Sequence, residues 1–132
     1  MRKISKIVKK IINKLNWKKL EGYAENYYVN PHDGYICSVH RGGTGKLKPI
    51  GNNVKPNTEG YINVKLKDLD GKFCSKRVNR LILGAYYPCP GKDYVSHHIN
   101  HDKTDNRLIN LNWVTHQENS RLRKDNTNEN CS

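Results

Sequence analysis

The stretch from Val95 to Asn119 limits the possible folds more than any other part of the chain. Val95 to Asn100 reads as a strand, and Asp102-Lys103-Thr104-Asp105-Asn106-Arg107 is polar and turn-forming. Asn112-Trp113-Val114-Thr115 reads as a second strand. Thr115 and Glu118 then have the spacing of a capping box, with Thr115 as N-cap and Glu118 at N3. That spacing predicts a helix from about His116 to Lys124, with Asn119 in its first turns. Strand, loop, strand and helix must therefore follow one another without a break. The same segment concentrates two adjacent imidazoles, His97 and His98, with carboxamides at Asn100, Asn106, Asn110 and Asn119. A packed core has little use for that set. A site that holds one metal ion and activates one water for attack on a phosphodiester would use all of it. Neighbouring strand residues point to opposite faces, so one of the two histidines can equally be a plain surface residue.

Upstream, the pattern is of short strands and turns. Tyr27-Tyr28-Val29 leads through Asn30-Pro31-His32-Asp33-Gly34 into Tyr35-Ile36-Cys37, which signals a hairpin. Arg41-Gly42-Gly43-Thr44-Gly45-Lys46 reads as a flexible basic loop. Tyr61 to Leu66 alternates apolar and polar residues as a half-buried strand does, and Asp70-Gly71 marks its turn. Asn63 and Lys65 fall on the outward face, either to contact nucleic acid or only to face solvent. Ser75 to Tyr87 predicts a helix capped by Ser75, with Val78, Leu81, Ile82, Ala85 and Tyr86 buried and Lys76, Arg77 and Arg80 outside. Pro88 and Pro90 end it. Residues 2–19 carry eight Lys or Arg and no acid, with Ile4, Ile7, Val8, Ile11, Ile12 and Leu15 at helical spacing. This helix either packs its stripe and shows lysines to phosphates, or lies on a membrane, or is solvated on one face.

The chain has 132 residues and 24 Lys+Arg against 12 Asp+Glu, a net charge of +12. That excess points to a polyanionic partner, nucleic acid above all. No two of Cys37, Cys74, Cys89 and Cys131 have C-x-x-C spacing, which argues against a structural zinc site. Without a visible signal peptide or an apolar run of membrane-spanning length, the chain reads as cytoplasmic, with free thiols.

Val95 to Asn119 resembles the HNH endonucleases, whose ββα-metal core belongs to the His-Me finger group. The match runs through His97-His98-Ile99-Asn100, Lys103, Asn106-Arg107-Leu108, Asn110-Leu111, Trp113-Val114-Thr115 and Glu118-Asn119. Trp17 to Leu20, Tyr28-Val29, Gly34-Tyr35-Ile36, Leu47-Lys48-Pro49 and Gly60-Tyr61 look like the N-terminal module that often precedes this core in phage and intron-encoded homing nucleases. Arg77 through Tyr87 is similar to the helix between the two.

The resemblance implies an α+β fold. A basic helix spans 1–16, an antiparallel β module with its connecting helix 17–90, the ββα-metal core 91–124 and a polar tail 125–132. It implies that His98 is the general base and that Asn110 braces the loop and helps fix that base. His97 and Asn119 then become ligands of one divalent ion, Mg²⁺ or Mn²⁺. His97 stands where the family more often has Asp, and its nitrogen suits transition metals better than Mg²⁺. Asn106 reads as an ordinary turn residue, Trp113 as a core residue, and His101 and His116 as bystanders. No length remains after the core for a C-terminal helix-turn-helix module. Binding of double-stranded DNA then falls to Arg41, Lys46, Lys48, Asn63, Lys65, Arg77 and Arg80. A membrane partner is not expected, and the choice between monomer and homodimer stays open. The alternative to a nuclease is a non-cleaving DNA-binding regulator on the same scaffold. A structure-selective RNA-binding protein shares the charge but leaves the histidines unexplained.

Overall fold

The computed structural model describes residues 10, 12–24, 26–39, 47–50 and 55–128, with side chains omitted at 39, 47, 48 and 123–128. Its elements are β1 (Lys18–Lys19), β2 (Tyr27–Asn30), β3 (Tyr35–Val39), β4 (Leu47–Ile50), β5 (Asn63–Lys67), β6 (Phe73–Arg77), α1 (Val78–Tyr86), β7 (Tyr94–His98), β8 (Leu111–Thr115) and α2 (His116–Asn128). Strands β1 to β4 form an antiparallel sheet in chain order, while β5–β6 and β7–β8 are two-stranded antiparallel ribbons. The fold is α+β, as expected. Among the described residues no helix is long and apolar enough to cross a membrane.

The β2–β3 hairpin closes on Asn30. Its side-chain oxygen accepts the amides of His32 and Asp33, and its amide donates to the Asp33 carboxylate. Gly34 completes the turn at φ +78°, in the left-handed region. In the β5–β6 ribbon, Val64 and Leu66 turn inward and Lys65 outward. The facing pairs Asn63–Arg77, Lys65–Ser75 and Lys67–Phe73 share one surface.

Helix α1 begins at Val78, three residues later than the expected start. Ser75 does not cap it; Ser75 lies in β6 opposite Lys65, and Arg77 takes the N-cap position without a side-chain cap. The strand wins because the Asp68 turn folds Phe73–Arg77 back onto β5. Asp68 Oδ1 accepts the amides of Asp70 and Lys72. At the far end, α2 runs on to Asn128, four residues past the expected end near Lys124 and into the segment expected as a polar tail. No Gly or Pro interrupts that stretch.

Leu20, Tyr27, Val29, Ile36, Ile62, Val64, Leu66, Val78, Ile82, Leu83 and Leu111 form one buried cluster. It draws on the four-stranded sheet, the first ribbon, α1 and β8, so the C-terminal ββα unit shares its core with what precedes it. Trp113 packs against this cluster and donates its indole N–H to the carbonyl of Tyr87. Of the N-terminal helix, positions 10 and 12–14 are described as helical, with Ile12 buried and Lys10 and Lys14 exposed. Its first nine residues lie outside the described residues.

Candidate active site

The site is built on the β7–β8 ribbon, the loop that joins its strands, and the first turns of α2. The register pairs His98 with Leu111 and His97 with Asn112. The capping box forms as expected: Thr115 Oγ1 accepts the Glu118 amide at 3.1 Å, and Glu118 Oε1 accepts the Thr115 amide at 3.4 Å. Helix α2 therefore starts directly from β8 and packs on both strands, with Asn119 half-buried in its second turn.

Asn110 knots the loop. Its amide donates to Asn100 Oδ1 and to the Asp105 carbonyl, both at 2.9 Å, and its oxygen accepts the Asn100 amide at 3.0 Å. Asp102 closes a small turn by accepting from the backbone and hydroxyl of Thr104. Asp105 accepts from Arg107 Nε and Nη2 at 2.8 Å and from Asn100. The Arg107 guanidinium holds the Asp105 carboxyl down at about 2. A loop this closely bonded does not need a hydrophobic interior to keep its shape.

His98 is 5 % exposed. Its Nε2 lies 2.8 Å from Asn106 Oδ1, and Asn106 is itself buried. An amide oxygen can only accept, so Nε2 carries the hydrogen and Nδ1 keeps its lone pair. Burial pushes the imidazole below its ordinary value, opposed by the Asn106 bond and by Asp102 and Asp105. Burial thus favours the neutral ring, and the Asn106 bond favours the tautomer with its hydrogen on Nε2. Asn106 is no ordinary turn residue. The sequence places Asn106 among the clustered carboxamides and in the family match, but its partner is eight residues away across the loop.

Asn106 has a support of its own. The Leu108 amide donates to the Pro31 carbonyl at 2.9 Å. A Cβ on Gly34 would lie 2.6 Å from both the Asn106 carbonyl carbon and the Arg107 nitrogen. The β2–β3 turn therefore sits directly against the peptide that carries Asn106.

His97 is half-buried, and its ring meets that of His101 edge to face at 5.2 Å. Burial lowers its proton affinity first, and the neighbouring His101 and His98 add to the effect. His101 holds a left-handed φ of 66°. Among the described residues no three of His, Cys, Asp or Glu converge as a metal cluster. Of the residues expected to bind DNA, Asn63, Lys65 and Arg77 share the outer face of the β5–β6 ribbon. Asn63 Oδ1 is enclosed without a partner. Arg80 lies on α1, its guanidinium 5.9 Å from the Trp113 ring. Lys48 lies in β4 with its side chain not described, and Arg41 and Lys46 fall outside the described residues.

Residues 76–121, which hold His97, His98, Asn106, Asn110 and Asn119, match the sequence profile of the HNH endonuclease family. These residues are thus similar to the HNH endonucleases, and the likeness extends over most of the chain. An uncharacterized HNH endonuclease of Acanthamoeba polyphaga mimivirus is 40% identical over 114 residues, covering 83% of this chain and 26% of the viral protein. The HNH homing endonuclease I-HmuI, solved in a study of its DNA binding and cleavage, superposes with a TM-score of 0.63 at 27% identity. That match covers 84% of this chain and 59% of I-HmuI. The chain thus spans about a quarter of one HNH relative and three-fifths of the other.

Proposed function

We propose that this chain is a metal-dependent DNA endonuclease of the homing type, with His98 as the general base. The observation that carries this reading is the buried His98–Asn106 bond. It leaves Nδ1 bare on a ring whose neutral form burial favours. In the proposed step, water attacks phosphorus, its proton passes to His98 Nδ1, and the phosphorus bond to the leaving oxygen breaks. A positioned base of this kind contributes roughly 10²–10⁴-fold. Asn110 serves by holding the loop, and touches Asn100 and Asp105 rather than the ring.

His97 and Asn119 are the residues that would hold the ion. One ring nitrogen and one neutral amide oxygen, without a carboxylate, fit an ion that takes the rest of its shell from water and phosphate. When bound, a divalent ion supplies compensation for the charge that develops on the phosphate and the leaving oxygen. The nitrogen favours Mn²⁺ over Mg²⁺. Double-stranded DNA is the substrate that fits a charge of +12 and the basic outer face of the β5–β6 ribbon. With one such site among the described residues, a monomer nicks one strand per binding event and a dimer can cut both.

The test is incubation with supercoiled plasmid in EDTA, Mg²⁺ and Mn²⁺. The expected result is no cleavage in EDTA, and cleavage in Mn²⁺ at least as fast as in Mg²⁺. A protein that shifts the DNA in a gel but cleaves it under none of these conditions would be a regulator on a nuclease scaffold.

A further inference from the structure

Two cations converge on one aromatic ring next to His98. The Arg77 guanidinium carbon lies 3.9 Å from the centre of the Tyr61 ring, and Lys103 Nζ lies 4.9 Å from it. The same ring is 6.1 Å from the His98 imidazole, inclined at 40°. The three residues come from separate places: the approach to β5, the end of β6, and the loop between β7 and β8.

Each is held in place. Asn57 Oδ1 accepts the amides of Glu59 and Tyr61, closing the turn that presents the ring. Lys103 Nζ donates to the Glu59 carbonyl at 2.9 Å. Gly60, at φ +94°, lets the lysine stem pass, since a Cβ there would be 3.2 Å from Lys103 Cδ. Arg77 is fixed by the strand register opposite Asn63. The acid paired with this group is Glu59, whose Oε2 is 3.3 Å from Arg77 Nη2 on a side chain that is 67% exposed. An exposed pair of this kind is weak and easily exchanged.

An ammonium has three donors and a guanidinium five, and the bonds to Glu59 use one of each. Cations resting on a ring face with donors to spare suit an anion that presents several oxygens. A DNA strand offers such an anion every ~3.4 Å along the helix axis. A strand attacked beside His98 therefore carries its neighbouring phosphates past this ring. We propose that Tyr61, Arg77 and Lys103 form a subsite for a DNA phosphate adjacent to the one attacked, with the Glu59 carboxylate occupying it in the free protein. This rests on the endonuclease reading of His98 for the word "adjacent".

The experiment measures duplex affinity against salt for the full chain in EDTA, where no turnover occurs. Lys103→Gln and Arg77→Gln should each flatten the slope of log K against log salt by about 0.9, the share of one phosphate contact. Glu59→Gln should tighten binding, because the competing carboxylate is gone. Lys103→Arg should keep the wild-type slope. Circular dichroism confirms that each variant is folded, and Glu59→Gln and Lys103→Arg keep the question open to test if a charge-removing variant is not. Unchanged slopes in both Gln variants, or weaker binding by Glu59→Gln, would overturn the subsite. Because the slope is read without cleavage, a chain that proves unable to cut DNA can still show it. A nuclease whose slope does not move would lose only the subsite.

Discussion

A histidine acts as a base only through a nitrogen that is free of hydrogen, and Asn106 determines which nitrogen of His98 that is. Replacing the amide with a carboxylate changes its charge and little of its shape. In Asn106→Asp, a carboxylate facing Nε2–H would stabilise the imidazolium and raise the His98 pKa. The protonated ring cannot accept a proton, so activity is lost as pH falls through that pKa. In the wild type, burial holds the value below 6.5, and the acid limb of the pH–rate profile should lie there. In Asn106→Asp the limb should move to higher pH, with the plateau at alkaline pH largely kept. A limb that does not move would show that Asn106 does not contact the reacting ring. Asn106 was not legible because its role depends on a contact across the loop, and turn chemistry explains an Asn there equally well. Asn110 was legible through its place in the family motif, and the structure shows how it braces the loop.

Among elements, the β2–β3 turn has the least obvious role. Its sequence announces a hairpin, but nothing in it says that Gly34 abuts the peptide between Asn106 and Arg107. Gly34→Ala faces both a positive φ and a Cβ 2.6 Å from backbone atoms. It should lower stability by roughly 1–3 kcal/mol. It should also reduce cleavage more than DNA binding, because the displaced backbone carries the partner of His98. Thermal unfolding and plasmid cleavage measured together check this; a folded Gly34→Ala chain with full cleavage would separate the turn from the site. The capping box at Thr115 and the hairpin at Asn30 were readable because side chain and backbone bond within a few residues. The start of α1 was misplaced because Ser75 looks like a cap locally, while pairing with β5 decides its conformation.

At the scale of the molecule, the shared core and the charge act together. Leu111 belongs to the same buried cluster as Leu20, Val29 and Val64, so the strand that closes the site is held by the sheet and ribbon before it. The α+β class was expected from the family resemblance and is seen in the structure, while the net charge of +12 points to a polyanionic partner. The shared core could not be read from sequence, since its members run from Leu20 to Leu111. The central claim is that this assembly exists to hold His98 as a neutral base beside bound DNA. Its most direct test is His98→Ala, assayed side by side with the wild type for plasmid nicking and for gel-shift affinity. Nicking should fall by roughly 10²–10⁴-fold while affinity stays close to wild type. A His98→Ala chain that nicks plasmid at the wild-type rate would contradict the account.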